Sequence, residues 1–195
     1  MLFADIAGFT PLSDRLEPEE IVQMLNRVFS EFDRLADAHG LEKIKTIGDA
    51  YMVAGGIPTA RPDHAEAVAD LALAMLEAVD RLSKEMQAPL RLRVGINTGP
   101  VVAGVIGVRK FIYDLWGDTV NTASRMESHG VPGEIQLTEE TARRLEGLFE
   151  VERRGAIEVK GKGQMTTFFV RARLEGGRSA SLEKDPSTTP KAPRT

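Results

Sequence analysis

Leu41-Glu42-Lys43-Ile44-Lys45-Thr46-Ile47-Gly48-Asp49-Ala50-Tyr51-Met52-Val53-Ala54 is the stretch on which the fold turns. Two runs, Leu41 to Ile47 and Tyr51 to Ala54, flank Gly48-Asp49, a two-residue Gly-X turn of the kind that closes a β-hairpin. Asp49 is therefore expected at a hairpin tip. Upstream, Ile21, Val22, Leu25, Val28, Phe29, Phe32, Leu35 and Ala36 recur at helical spacing from Glu19 to Ala38, and Gly40 ends the pattern. Further back, Leu2 to Asp5 is a short apolar run that reads as a strand. Thr10-Pro11 then offers a cap followed by proline at the first helical position.

Downstream, Asp63 and Glu66 resemble a capping pair, and Val68, Leu71, Met75, Val79 and Leu82 continue a second long helix, with Pro89 beyond its end. Leu90, Leu92, Val94 and Ile96 alternate with arginines and glycine. Asn97-Thr98-Gly99 turns the chain, and Val101 to Val105 is the expected partner strand of a second hairpin. Asp118 is expected to cap a helix from Thr119 to Ser128. Ile135 to Leu137, Phe149 to Glu152, Ala156 to Val159 and Thr166 to Arg171 read as short strands, with Thr138 capping one more helix. Long helices separated by antiparallel turns predict an α+β domain with helices packed on a mainly antiparallel sheet.

The chain has 195 residues, 42% hydrophobic and 28% charged, enough for one globular domain with a sizeable core. A net charge of −4 gives no general attraction to nucleic acid or anionic membrane, so a phosphate ligand must be met locally. With no cysteine, a disulfide framework, a thiolate metal site and a cysteine nucleophile are excluded; a metal must be held by oxygen or imidazole. The longest apolar stretch, Val101 to Val108, is broken by Gly104 and Gly107 and is far below the roughly 20 residues of a membrane-spanning helix. Met1 to Asp5 read as the inside of a strand cut into, which predicts a piece of a larger protein. From about Glu175 to Thr195 the composition shifts to Gly, Ser, Thr, Pro and Lys, the signature of a disordered tail.

Phe3-Ala4-Asp5-Ile6-Ala7-Gly8-Phe9-Thr10 puts a carboxylate at a strand end, before a helix start whose free N–H groups suit a phosphate. Asp49 supplies a second carboxylate, and two carboxylates from adjacent strands can share one or two Mg²⁺ ions. On these residues alone, Asp5 could equally cap the following helix and Asp49 simply make a turn. Lys45 could be a solvated strand lysine, Asp114 a strand-edge charge, and Asn121 and Arg125 a surface pair at helical spacing.

Taken together, the sequence resembles the catalytic domains of the class III nucleotide cyclases over roughly Leu2 to Val170. Four separated motifs carry the likeness in order: Phe3 to Thr10, Glu42 to Met52, Trp116-Gly117-Asp118-Thr119-Val120-Asn121-Thr122-Ala123-Ser124-Arg125-Met126, and Val159-Lys160-Gly161-Lys162-Gly163. The resemblance implies a ferredoxin-like α/β sandwich over residues 1–171, with 172–195 as the tail. It implies that Asp5, Asp49 and the backbone carbonyl of Ile6 bind two divalent ions, Mg²⁺ or Mn²⁺. The matching positions for base recognition are Lys45 and Asp114, whose identities favour adenine. An ammonium can donate to N1 of adenine and a carboxylate can accept from its exocyclic amine, whereas guanine mismatches both.

By the same resemblance, Asn121 orients the ribose, Arg125 stabilises charge on the α-phosphate, and Lys160 approaches the triphosphate. The implied enzyme is an adenylyl cyclase that converts ATP to cyclic AMP and pyrophosphate. It would work as a head-to-tail homodimer with each site across the interface, on the cytoplasmic side and as part of a larger, membrane-anchored protein. The alternatives are a guanylyl cyclase, which Lys45 and Asp114 disfavour, and a catalytically silent nucleotide-binding domain. An RNA-binding module is opposed by the acidic balance and the lack of aromatic interleaving. His39, His64 and His129 lie near helix ends and are given no catalytic role.

Overall fold

A computed structural model describes residues 1–107 and 112–176. In chain order it contains β1 (Leu2–Ile6), α1 (Phe9–Ser13), α2 (Pro18–Ala38), β2 (Glu42–Ile47), β3 (Ala50–Ala54), α3 (His64–Glu85) and β4 (Leu92–Ile96). There follow β5 (Val102–Ile106), β6 (Ile112–Trp116), α4 (Asp118–Ser128), β7 (Ile135–Thr138), α5 (Glu139–Leu145), β8 (Phe149–Val159) and β9 (Gly163–Arg173). Seven strands form one sheet in the order β2-β3-β1-β4-β7-β9-β8, and β5 and β6 form a separate ribbon. Every pairing is antiparallel except β4 with β7. This is the α+β architecture the sequence predicts.

The helix α2 forms because Met24, Val28, Phe32 and Ala36 recur every fourth residue and are all buried. Its start is held by Pro18 in the first turn and by a capping box in which the Glu17 amide donates to Glu20 Oε2 at 3.0 Å. It stops where Gly40 takes φ 62°, a conformation a side chain rarely tolerates, and the Leu41 amide turns back to the Ala36 carbonyl. On α3, Val68, Leu71, Ala72, Met75, Val79 and Leu82 make the matching stripe. Both helices lie on one face of the sheet, over Leu2, Ala4, Ile6, Tyr51, Val53, Leu92, Val94 and Ile96. Phe32 is fully buried there, so Phe32→Ala would cost about 3–5 kcal/mol.

Because strand side chains alternate, the other face of β1 and β3 carries Phe3 and Met52, which pack with Leu115 and Ala123 in a second, smaller core. This face is covered by α4 and the β5–β6 ribbon. Gly95 lets α4 settle directly on β4: a Cβ at Gly95 would lie 2.0 Å from the Glu127 amide nitrogen.

The hairpin at Gly48-Asp49 forms as expected, with Ile47 opposite Ala50 and Gly48 at φ 61°. The second expected hairpin does not. β4 is flanked by β1 and β7, and β5 pairs with β6 instead. The physical reason is burial: Leu92, Val94 and Ile96 belong to the helix-covered core, whereas Val102, Val105 and Ile106 are 67%, 59% and 60% exposed.

Several smaller expectations also shift. Gly117, not Asp118, is the N-cap of α4, and Gly8, not Thr10, precedes α1. Asp63 and Thr138 stand at N-cap positions without a capping bond from their side chains; Asp63 pairs with Arg61, and Thr138 donates to Asn97 Oδ1 at 2.8 Å. The strands read at Phe149 to Glu152 and Ala156 to Val159 are one strand, β8, with an irregularity between Arg153 and Gly155. β9 runs to Arg173, and the expected tail falls mainly on residues 177–195, outside the described residues.

Candidate active site

Asp5 and Arg93 are register partners on β1 and β4, on the α4-covered face. Their side chains meet there: Arg93 Nη2 donates to Asp5 Oδ2 at 2.7 Å, and Arg93 Nε donates to Glu127 Oε1 at 2.9 Å. Asp5 also faces Ala50 across β1–β3, which brings Asp49 at the hairpin tip alongside it, within hydrogen-bonding reach of the Asp5 carboxylate. The structure thus unites the two aspartates that the sequence singled out. It adds Arg93 and Glu127, which the sequence reading missed. The alternation of arginines with Leu92 and Val94 was a signal that Arg93 faces away from the helix-covered core; its partners, 88 and 34 residues away, left none.

Three carboxylates around one guanidinium leave an excess of negative charge, and the acid groups respond. Burial, with the Asp5 carboxylate beside it, pushes Asp49 up to about 6. Burial and then the Asp5 charge push Glu127 up to about 7, against the opposing pull of Arg93. This is the electrostatic setting in which a divalent cation relieves repulsion, and carboxylate and carbonyl oxygens are the donors that Mg²⁺ or Mn²⁺ prefers. The residues therefore fit such ions. Ile6 buries its side chain in the helix-covered core, so only its backbone can serve. Among the described residues no three His, Asp or Glu side chains form a ready-made cage, so further ligand oxygens would come from backbone, water or substrate.

A second group lies at β2 and β6. Lys45 Nζ is 2.5 Å from Asp114 Oδ2, and the Leu115 amide donates to Asp114 Oδ1 at 2.8 Å. The two side chains are side by side where β2 of the main sheet meets β6 of the ribbon.

The third group is not brought to the aspartates within this chain. Asn121 and Arg125 are four apart on α4, on the side away from its buried residues Thr119, Thr122, Ala123, Met126 and Glu127. Lys160 is exposed just after β8. Among the described residues, the side chains of Asn121, Arg125 and Lys160 make no hydrogen bond or ion pair, while neighbouring Lys162 is tied to Asp118 at the start of α4. The three histidines each place Nδ1 near a carbonyl of the preceding helical turn or loop, in keeping with a structural role.

This fold is that of the nucleotide cyclase catalytic domains. The chain belongs to the adenylate and guanylate cyclase catalytic domain family, whose model matches residues 1–172. It is 52% identical over 170 residues to an adenylate cyclase of Mycobacterium tuberculosis, covering 87% of this chain and 38% of that one. It is also 51% identical over 172 residues to the guanylate cyclase soluble subunit beta-2 of Rattus norvegicus, covering 87% of this chain and 25% of that one. Its structure matches the guanylate cyclase domain of RhGC from Catenaria anguillulae in complex with GTP, with TM-score 0.86 and 39% identity over 89% of this chain and 95% of that one. The chain therefore spans between a quarter and two fifths of the length of these two curated relatives. Among the described residues no helix is long and apolar enough to cross a membrane.

Proposed function

We propose that this is the catalytic domain of an adenylyl cyclase, in which the ribose 3′-oxygen of ATP attacks the α-phosphorus in line and pyrophosphate leaves. The observation that carries the choice of adenine is the Lys45–Asp114 pair. Lysine offers only donors and an ionised aspartate only acceptors, which matches N1 and the exocyclic amine of adenine and mismatches O6 and N1–H of guanine. Relatives of both specificities are similar to this chain, so the assignment rests on these two side chains.

Asp5, Asp49 and the Ile6 carbonyl would hold two divalent ions, Mg²⁺ or Mn²⁺, which supply charge neutralisation on the phosphates and ease ionisation of the 3′-hydroxyl. Arg125 presents a planar fork of donors suited to the charge that gathers on the α-phosphate oxygens. Asn121, one turn earlier on the same face, orients the ribose, and Lys160 meets the triphosphate. Two observations support a head-to-tail homodimer with composite sites. Arg125 and Lys160 are cations without an acidic partner among the described residues, and the β5–β6 ribbon exposes Val102, Val105 and Ile106 as an apolar arm. In such a dimer the Asn121–Arg125 face of one chain meets the Asp5–Asp49 corner of the other.

The test is product formation by the purified chain from ATP and from GTP in the presence of Mn²⁺ or Mg²⁺. Cyclic AMP with the higher kcat/KM is expected. Preference for GTP would overturn the adenine assignment, and no product from either would leave a silent nucleotide-binding domain.

A further inference from the structure

We infer that Glu127 is a positioning residue for metal binding: it holds one side of Arg93 and so limits the grip of Arg93 on Asp5, with which Arg93 pairs as a built-in counter-ion until a divalent cation displaces it. The inference rests on the reading of Asp5 as a metal ligand.

Two acids hold separate nitrogens of one guanidinium. Nη2 is 2.7 Å from Asp5 Oδ2 and Nε is 2.9 Å from Glu127 Oε1, with side chains of Arg93, Asp5 and Glu127 29%, 17% and 11% exposed. Loss of Asp5 to a cation would therefore not set Arg93 adrift. In so sheltered a place an unpartnered guanidinium is costly, and Glu127 removes that cost. Glu127 is itself fixed, because α4 lies against Gly95, two residues along β4 from Arg93, with no room for even a Cβ between them.

Arg93 occupies an oxygen of Asp5 and places a positive charge next to the Asp5–Asp49 pair. A divalent cation at the same carboxylates competes with it for that oxygen and is repelled by that charge. Affinity for metal in the absence of nucleotide is thus set partly by how firmly Glu127 draws Arg93 away from Asp5. Removing the Glu127 charge leaves Asp5 as the one acid paired directly with Arg93 among the described residues and strengthens the competition.

The experiment is Mn²⁺ binding to the nucleotide-free full chain, read from the electron paramagnetic resonance of free Mn²⁺. Arg93→Gln is expected to tighten binding by about tenfold or more, the scale of one charge removed within 4–6 Å. Glu127→Gln is expected to weaken it, and most of that weakening should vanish in the Arg93→Gln background. Glu127→Asp, which keeps the charge but shortens the reach, should fall between; it replaces Glu127→Gln if circular dichroism shows that variant unfolded. An equal effect of Glu127→Gln in both backgrounds would make Glu127 an independent charge and overturn the inference. So would Arg93→Gln that leaves binding unchanged or weaker. Asp5→Ala is the control for the underlying reading: Mn²⁺ binding that survives it removes the metal assignment itself, whereas binding lost in Asp5→Ala but indifferent to Arg93 removes only the present inference.

Discussion

Lys45 and Asp114 form an ion pair of 2.5 Å that joins β2 of the main sheet to β6 of the ribbon, although 69 residues separate them. Asp114 is oriented by the amide of Leu115, so the carboxylate is the fixed partner and the lysine the adjustable one. Lys45→Glu combined with Asp114→Gly or Asp114→Cys supplies an acceptor for guanine N1–H and removes an acceptor that opposes O6. The ratio of kcat/KM for ATP to that for GTP should fall on the order of 100-fold or more, since a site built around hydrogen bonds rejects the mismatched analogue strongly. An unchanged ratio sinks the base assignment.

Asp5→Ala and Asp49→Ala should each abolish cyclic nucleotide formation while leaving the fold intact. Asp49 is a carboxylate crowded by Asp5, so its removal relieves repulsion; without Asp5, Arg93 still has Glu127. Circular dichroism and thermal melting check this. Unfolding of both variants would mark the aspartates as structural.

Stability of the metal-free protein should depend on pH through Asp49 and Glu127. The unfolded chain releases these protons near 3.8 and 4.5, while the folded chain keeps them to about 6 and about 7. The folded state therefore binds more protons across this window, and the two groups' contribution is full below about pH 4 and is lost as pH rises through 6 to 7. In EDTA, the melting temperature of the wild type should fall more steeply from pH 5 to pH 7.5 than that of an Asp49→Asn, Glu127→Gln double variant. Parallel curves would contradict the crowding seen at this corner.

Asp5→Ala and Arg125→Ala should each be nearly inactive alone and regain activity when mixed. In a mixed dimer one interface collects both defects, while the other joins the intact Asp5 and Asp49 of one chain to the intact Asn121 and Arg125 of its partner. Random exchange makes about half the dimers mixed, so activity should approach roughly a quarter of wild type at equal total protein if the two sites are independent. A mixture that stays inactive, with mixed dimers seen by native mass spectrometry, would place the whole site within one chain.

Replacing an exposed apolar residue of the ribbon by a charge, as in Val105→Glu, should lower activity and shift the protein toward monomer, because Val105 is 59% exposed and has little packing to lose within its own chain. Sedimentation velocity reads the shift. A variant that remains dimeric and fully active would remove this arm from the interface.

Much of this protein was written locally. The long helices follow from apolar spacing that Gly40 or a capping box terminates, and the hairpin at Gly48-Asp49 follows from a glycine where the backbone needs positive φ; these depend on residues within one or two turns of each other. Asp5, Asp49, Lys45, Asn121, Arg125 and Lys160 could be picked out because they stand in short motifs, and Asp114 because it lies two residues before one. What the sequence did not determine is which strands become neighbours. β4 read as half of a hairpin with β5, yet burial of Leu92, Val94 and Ile96 placed it between β1 and β7. That single choice sets Asp5 opposite Arg93, and Gly95 then brings α4 close enough for Glu127 to take the other side of the guanidinium. The charge balance at the acidic corner was therefore decided by tertiary structure, because sheet register and helix-to-strand distance join residues whose separation along the chain carries no periodic signal.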